Sequence, residues 1–474
     1  MPDLVKADLC VIGAGSGGLS VAAGASQMGA STVLIEKGKM GGDCLNYGCV
    51  PSKALLAAGH AAQAVRSSGR FGIDGGDPEI DAARVYEHVR GVIEAIAPMD
   101  SVERFEGLGV RVIHGEARFV GRTDLQVGPH RISSRRIVLA TGSRPTLPPL
   151  EGLTEVPYFT NETIFAGRTM PAHLLVIGGG PIGMEMAQAY RRLGAKVTVL
   201  DTAGFLTRDD PELAAIVLGR MRSEGVTLHA PVRIVRARRD PQGITLDLAD
   251  GRHVSGSHLL VAAGRAPVVD GLALDVAGIA YTSRGITVGP SLRTTNRNVW
   301  AIGDCNGLHA FTHMAAYEAS LFIRNALFRL PARLDPSIVP WTTYTDPELA
   351  QVGIDERAAR ERHGATIRVL RWRLADNDRA QTERATEGMV KVIADRRGRI
   401  LGAGIAAPHA GELIQPWCLA IARRLRISAM ASFVPPYPTL GEASKRTAGS
   451  FFTGALFSAR SRVLVRLLAR FPIW

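Results

Sequence analysis

Short apolar runs alternate along the chain with glycine-rich breaks and with longer stretches in which apolar residues recur every three or four positions. Ala7-Asp8-Leu9-Cys10-Val11-Ile12 predicts a buried strand, broken by Gly13-Ala14-Gly15-Ser16-Gly17-Gly18. Leu19, Val21, Ala22, Ala23 and Ala25 predict a helix, and Thr32-Val33-Leu34-Ile35 a second strand closing at Glu36. The same order returns later. Leu174–Ile177 is a strand and Gly178-Gly179-Gly180-Pro181-Ile182-Gly183 a break; a helix from Met184 to Leu193 and a strand from Lys196 to Leu200 follow, with Asp201 at its end. Between the two units, Val85, Val89, Val92, Ile93 and Ile96 mark one face of a long helix from Ile80 to about Gly107, with His88 a surface or satisfied histidine. Further strands are expected at Arg111–Ala117 and Arg136–Leu139, the stretch from Leu259 to Pro267 echoes the one ending in Ala140-Thr141-Gly142, and a helix starts at Phe311–Ala316. Beyond Pro336 and Pro340, strands are expected around 369–372, 388–393 and 400–405.

Strand, G-x-G-x-x-G, helix, strand, acid is a dinucleotide-binding fingerprint in its proper setting. Gly13 makes the tight turn, Gly15 lets backbone N–H groups approach a pyrophosphate, and Gly18 permits close helix–strand packing. Glu36 is placed to hold a ribose through its hydroxyls. Gly178, Gly180, Gly183 and Asp201 repeat the set, so two nucleotide sites are expected. An acid at position 201 suits a ribose diol, hence NADH, with NADPH the second option because Arg208 lies close in sequence.

At 474 residues the chain is long enough for roughly two to four domains. Its 46% hydrophobic and 21% charged residues are those of an ordinary globular protein. No apolar run reaches the length of a membrane span, and the first residues enter a strand without the pattern of a signal peptide; a cytoplasmic protein is expected. The net charge of +12 comes from arginine spread along the chain without interleaved aromatics, which argues against nucleic acid.

Gly41-Gly42-Asp43-Cys44-Leu45-Asn46-Tyr47-Gly48-Cys49-Val50-Pro51-Ser52-Lys53 carries the chemistry. Pro51 suits a first helical turn. Cys49 would then sit near a helix N-terminus with Lys53 one turn on, and both features favour a thiolate. A disulfide between Cys44 and Cys49 needs a loop or distorted turn between them, because positions i and i+5 of a regular helix lie about 140° apart. Two unrelated buried thiols and half of a metal site are the other readings, though no further Cys or His stands nearby at zinc-site spacing. With five cysteines and no secretion signal, a structural disulfide is disfavoured.

This segment closely resembles the redox-active segment of the flavoprotein disulfide reductases: lipoamide dehydrogenase, glutathione reductase and mercuric reductase. The resemblance runs over about residues 5 to 450. It implies an α/β fold of two Rossmann-like dinucleotide-binding domains plus an α+β dimerisation domain. The parts would be 1–148 and 269–335 for FAD, 149–268 for NAD(P), 336–455 for dimerisation and 456–474 as a basic tail. By the resemblance, FAD lies on Gly13, Gly15, Gly18, Glu36, Gly42, Lys53, Ala117, Thr141, Gly142, Ser143 and Asp304, the last at the ribityl chain, with Thr312 and His313 at the flavin's pyrimidine end. Gly264 closes the NAD(P) unit. Cys49 would be the thiol against the flavin and Cys44 the one that meets the acceptor. Glu185 matches a family glutamate that pairs with the lysine at Lys53. No metal site is expected, and the enzyme is expected to be a homodimer.

Pro436-Tyr437-Pro438-Thr439-Leu440-Gly441-Glu442 departs from the resemblance. Lipoamide dehydrogenase and glutathione reductase carry a histidine, oriented by the glutamate, where Tyr437 and Glu442 stand here, and that histidine reaches the other subunit's site as general acid–base. A phenol of pKa about 10 is a poor base at neutral pH. Mercuric reductases have a tyrosine in this region and add a C-terminal cysteine pair, whereas the last cysteine here is Cys418. By the resemblance, electrons would pass from NAD(P)H through FAD and Cys44–Cys49 to an acceptor left open: a small disulfide, a metal ion such as Cu(II) or Hg(II), or a quinone. The alternative is a membrane-associated protein that delivers electrons to a bound partner.

In the tail, Val463, Leu464, Leu467, Leu468 and Phe471 form one apolar face, with Arg460, Arg462, Arg466 and Arg470 beside it and Trp474 at the end. Residues 460–474 would either lie on anionic lipid at the inner face of the membrane or pack on the dimerisation domain.

Overall fold

The computed structural model describes residues 3–241 and 243–471; Trp474 lies outside them. The chain forms two compact units. One runs to Gly204 and resumes over Gly225–Leu334; the other holds Phe205–Glu224 and the chain from Asp335 onward. Phe205–Glu224 thus groups with the C-terminal part, although its sequence position falls inside 149–268. Its helix Pro211–Ser223 buries Leu213, Val217 and Met221 there.

In the first unit a seven-stranded sheet runs in the order Val110–His114, Thr32–Glu36, Asp3–Ile12, His130–Leu139, Asp124–Val127, Ala117–Phe119, and Val299–Ala301 also pairs with His130–Leu139. The strands feeding the first glycine loop are parallel, with Ile12 beside both Ile35 and Leu139. Their apolar residues point to both faces and are buried on both, as the continuous runs require. A parallel sheet of Thr227–His229, Lys196–Leu200, His173–Ile177 and His258–Val261 carries the second loop. The expected strand Arg111–Ala117 is two strands, Val110–His114 and Ala117–Phe119, separated at Gly115, which has φ +151°.

The long helix expected from Ile80 to Gly107 is broken. Ala82–Ile96, capped by Asp81, is followed by a 3₁₀ turn through Pro98 and a new helix, Val102–Gly107, capped by Ser101. Pro98 lacks the N–H that would continue the ladder. Of the expected face only Val89 is fully buried, joined by Tyr86, whereas Ile96 is exposed.

The second unit is built on a five-stranded antiparallel sheet: Pro340–Thr343, Glu348–Gly353, Ile400–Ala407, Met389–Asp395, Ile367–Arg373. Trp417, Ile405 and Val392 are in its core. A buried ion cluster sits beside that core. Lys391 is 3% exposed and its Nζ reaches Asp210 at 2.7 Å, Glu356 at 2.9 Å and Glu212 at 3.0 Å, while Arg371 pairs with both glutamates. The buried ammonium is thus matched by several carboxylates.

The tail forms the helix Ala459–Leu468, capped by Ser458. Its apolar residues do not pack on the rest of the unit: Val463, Leu464, Leu467, Leu468 and Phe471 are all more than half exposed. No described helix is long and apolar enough to cross a membrane.

Candidate active site

Cys44 lies in the short helix Gly42–Asn46, and Cys49 opens the helix Cys49–Arg66. Tyr47 and Gly48 between them are the distorted turn that the spacing requires. The two thiols are close enough to share a hydrogen bond. That bond, donated by Cys44, is the largest influence pulling Cys49 down to about 6; burial opposes it, and Thr312 and Lys53 add to it. Cys44 is pushed far above the usual thiol range, by the same bond and then by burial. Cys49, at the helix start, is thus the thiol favoured to ionise. Thr312 Oγ1 lies 3.4 Å from Cys49 Sγ. Lys53, one turn along the same helix, bonds Glu185 Oε2 at 2.7 Å, and the Glu185 side chain is 6% exposed.

The two glycine loops match position by position. Each first glycine has positive φ, +104° at Gly13 and +118° at Gly178, and a Cβ there would stand 2.3 Å from a carbonyl oxygen, of Ala140 or Ala262. A Cβ on Gly18 would lie 1.9 Å from Gly13 O, and one on Gly183 2.0 Å from Gly178 O, so the helices pack against the strands only with glycine there. Gly15 and Gly180 differ: a Cβ on either meets nothing within 4 Å. They are the caps of helices Ser16–Gln27 and Pro181–Arg192, with no side-chain cap. Free N–H groups at an open helix N-terminus form an anion cradle, which fits a dinucleotide pyrophosphate. Glu36 accepts from Ala14 N at 2.6 Å and Gly38 N at 2.7 Å. Asp201 accepts from Gly179 N at 2.7 Å, Ala203 N at 2.7 Å and Gly204 N at 3.0 Å. Both carboxylates are fixed beside their loops.

A polar chain joins the redox turn to the remaining motifs. Ser143 Oγ donates to Asp304 Oδ2 at 2.5 Å. Arg265 donates to Ser143 Oγ at 2.8 Å and Ser143 O at 2.9 Å, and pairs with Asp43 at 3.2 Å. Burial raises the Asp304 pKa against the opposing effects of Ser143 and Arg265. Thr141 Oγ1 donates to Val268 O at 2.7 Å. Gly142 and Gly264 take positive φ, +70° and +136°. Gly42 lies against the first loop, where a Cβ would stand 2.7 Å from Gly15 Cα. Ala117 is buried. His313 stacks on Phe311 at 5.2 Å, exposed at the start of helix Thr312–Phe322.

Sequence reasoning passed over Arg265, Asp43 and Glu318. Arg265 follows Gly264 directly, and that adjacency was its signal. Glu318 is an acid in an apolar helix; it is fully buried and accepts from Gly303 N at 2.7 Å and Asn306 Nδ2 at 2.8 Å. Burial raises it to about 7.

In the second unit Tyr437 is 70% exposed and its hydroxyl donates to Asp378 Oδ2 at 2.8 Å. That bond raises its pKa, which makes it a poorer base still. Glu442 does not orient it by a hydrogen bond; it pairs with Arg446 one helical turn away at 2.9 Å. Among the described residues, no group of three or more His, Cys, Asp or Glu could hold a metal ion.

Two dinucleotide cradles and a thiol pair at a helix start define a dinucleotide-dependent dithiol oxidoreductase. Residues 7–319 match the pyridine nucleotide-disulphide oxidoreductase family and residues 339–448 its dimerisation domain, and the chain belongs to that family. It is 36% identical to the mercuric reductase of Streptomyces lividans over 455 residues, 94% of this chain and 96% of that one. To the dihydrolipoyl dehydrogenase of Geobacillus stearothermophilus it is 33% identical over 462 residues, again 94% and 96%. Among solved structures it is similar to the Cu(II) complex of the HOCl-induced flavoprotein disulfide reductase RclA from Escherichia coli. There the TM-score is 0.85 at 27% identity, over 94% of this chain and 99% of that one. LpdA from Mycobacterium tuberculosis gives 0.85 at 25% identity with the same coverage. Family members use FAD and NAD(P)H, and the chain is an FAD-dependent pyridine nucleotide-disulfide oxidoreductase whose dimerisation domain supports a homodimer.

Proposed function

We propose that this oxidoreductase carries electrons from NADH through Cys44 and Cys49 to a thiolate-binding metal ion, Cu(II) first. The observation that carries the reading is geometric: Cys49 opens its helix 3.4 Å from Thr312 Oγ1 with Lys53 one turn on, and Tyr437, its hydroxyl turned to Asp378, stands where a histidine base would serve a disulfide substrate. Reducing a disulfide releases thiolates that need a proton donor titrating near working pH. A metal ion held by sulfur needs none, and thiolates are the soft ligands that Cu(I) prefers.

FAD and the nicotinamide, when bound, accept and donate the hydride. Gly13, Gly15, Gly18, Gly42, Glu36, Ala117, Thr141, Gly142, Ser143, Asp304, Thr312 and His313 are assigned to holding FAD. Gly178, Gly180, Gly183, Asp201 and Gly264 are assigned to NADH. Lys53, held by Glu185, keeps a positive charge by Cys49. Tyr437 and Glu442 of one subunit are assigned to the mouth of the other subunit's site. In balance, the dithiol and two Cu(II) give the disulfide, two Cu(I) and two protons; NADH and one proton then restore the dithiol and leave NAD⁺. Delivery to a bound protein partner is the alternative.

Anaerobic reduction with NADH, followed by stopped-flow mixing with Cu(II), Hg(II), a small disulfide, a quinone and lipoamide, tests it. Cu(II) should reoxidise the thiols at least about tenfold faster than lipoamide, and Tyr437→His should narrow that gap from the lipoamide side, since a positioned base contributes about 10²-fold or more. Equal or faster turnover of lipoamide by the wild type would overturn the reading.

A further inference from the structure

The family's activity leaves the C-terminal helix without a task. In Ala459–Leu468 and the turn after it, the large apolar residues all face outward, from 51% exposed at Leu467 to 64% at Val463. Val463, Leu464, Leu467 and Leu468 fall within about 140° of the helix circumference at 100° per residue, and Phe471 follows in the turn after it. Leu456 and Phe457, just before the helix, are 63% and 68% exposed and extend the apolar surface. Arg462, Arg466 and Arg470 flank the face at i, i+4 and i+8. Arg462 also donates to Phe457 O at 3.0 Å. No Asp or Glu occurs after Glu442, so no acid of this segment neutralises the arginines.

An apolar stripe beside uncompensated arginines narrows the choice of occupant. Nucleic acid would answer the charge but not the stripe. A second copy could cover the stripe, but its own tail, with no Asp or Glu after Glu442, brings no acid to meet the arginines. An anionic lipid surface answers both: acyl chains take the apolar side and headgroups take the guanidinium groups. A ten-residue helix is about 15 Å long, half of a hydrocarbon core of about 30 Å, so it lies on the surface and cannot span it.

We infer that this helix docks the enzyme on an anionic lipid surface, apolar face down and arginines toward the headgroups. The inference is independent of the electron acceptor. The test is co-sedimentation of the full-length holoenzyme with phosphatidylglycerol vesicles and with phosphatidylcholine vesicles, at low and raised salt. Wild type is compared with Leu464→Glu/Leu467→Glu and with Arg466→Glu/Arg470→Glu. Mass by light scattering and NADH-driven Cu(II) reduction are read on the same samples. The expected result is binding to phosphatidylglycerol that weakens with salt and falls about tenfold or more in each variant, with mass and turnover unchanged. Wild type that ignores phosphatidylglycerol, or variants that bind it equally, would overturn the inference. So would variants that lose the dimer, which would assign the face to a second copy. Failure of Cu(II) turnover alone would strike the proposed function and leave this inference standing.

Discussion

A cysteine at a helix start becomes a good nucleophile only if its anion is stabilised, and here the stabilisation is specific. Cys49 receives a hydrogen bond from Cys44 and lies near Thr312 and the Lys53 ammonium. Its reactivity with iodoacetamide should rise with pH around a midpoint near 6 and level off above, where an ordinary thiol would still be gaining toward 9. Cys44→Ser replaces the thiol donor, so the midpoint should move, and Lys53→Met should raise it by removing a positive charge. Cys49→Ser should abolish the long-wavelength thiolate-to-flavin band of the NADH-reduced enzyme. A band that persists in Cys49→Ser would reverse the roles of the two thiols. The candidate pair and Lys53 were legible because sequence neighbours stay neighbours in a helix. Thr312, more than 250 positions away, was legible only through the resemblance.

At the scale of the element, the glycine loops separate two kinds of glycine. Gly18 and Gly183 are required by the protein's own backbone, whereas a Cβ on Gly15 or Gly180 would meet only open space. Gly183→Ala drives a Cβ into Gly178 O and must push helix Pro181–Arg192 off its strand, an overpacking of about 1–3 kcal/mol. The variant should keep its FAD spectrum and its reduction by dithionite. Its NADH-dependent reduction should fall about tenfold or more, as kcat/KM shows. Unchanged NADH kinetics would remove the second loop from nicotinamide binding. Wild type should also prefer NADH to NADPH, since the Asp201 carboxylate is fixed by three backbone N–H groups and would repel a 2′-phosphate. The periodicity of the helix from Ile80 did not reveal its break, because the apolar positions end at Ile96 and the signal for the break is Pro98, which apolar spacing does not read.

Across the whole molecule, the segment Phe205–Glu224 carries Asp210 and Glu212 to Lys391, nearly two hundred positions later. Burial pushes Glu356 up, but hydrogen bonds from Lys391 and Arg360 outweigh it and hold the carboxyl down at about 2. A folded pKa below the unfolded value of 4.5 means stability that is complete above pH 4.5 and drains away as pH falls toward 2. Lys391→Met leaves the buried Asp210 carboxylate without its ammonium partner and should cost about 3–5 kcal/mol. Native-state hydrogen exchange of the Met389–Asp395 amides reads it directly: wild type should lose protection below pH 4.5, and the variant should be less protected at neutral pH. Equal protection in the two proteins would show that the ion cluster does not hold this sheet.

The sequence alone determined what depends on local order: strand, glycine turn, helix and terminal acid, twice over, and a thiol pair at a helix start. Those elements are encoded by neighbours, through period, steric freedom at glycine and capping. Tertiary structure decided what depends on distant residues. It linked Arg265 to Ser143 and Asp43, buried Glu318 under Gly303, turned the Tyr437 hydroxyl to Asp378 and left the tail's apolar face uncovered. An amphipathic pattern specifies which side of a helix is apolar, but whether anything covers that side is set by the shape of the rest of the fold.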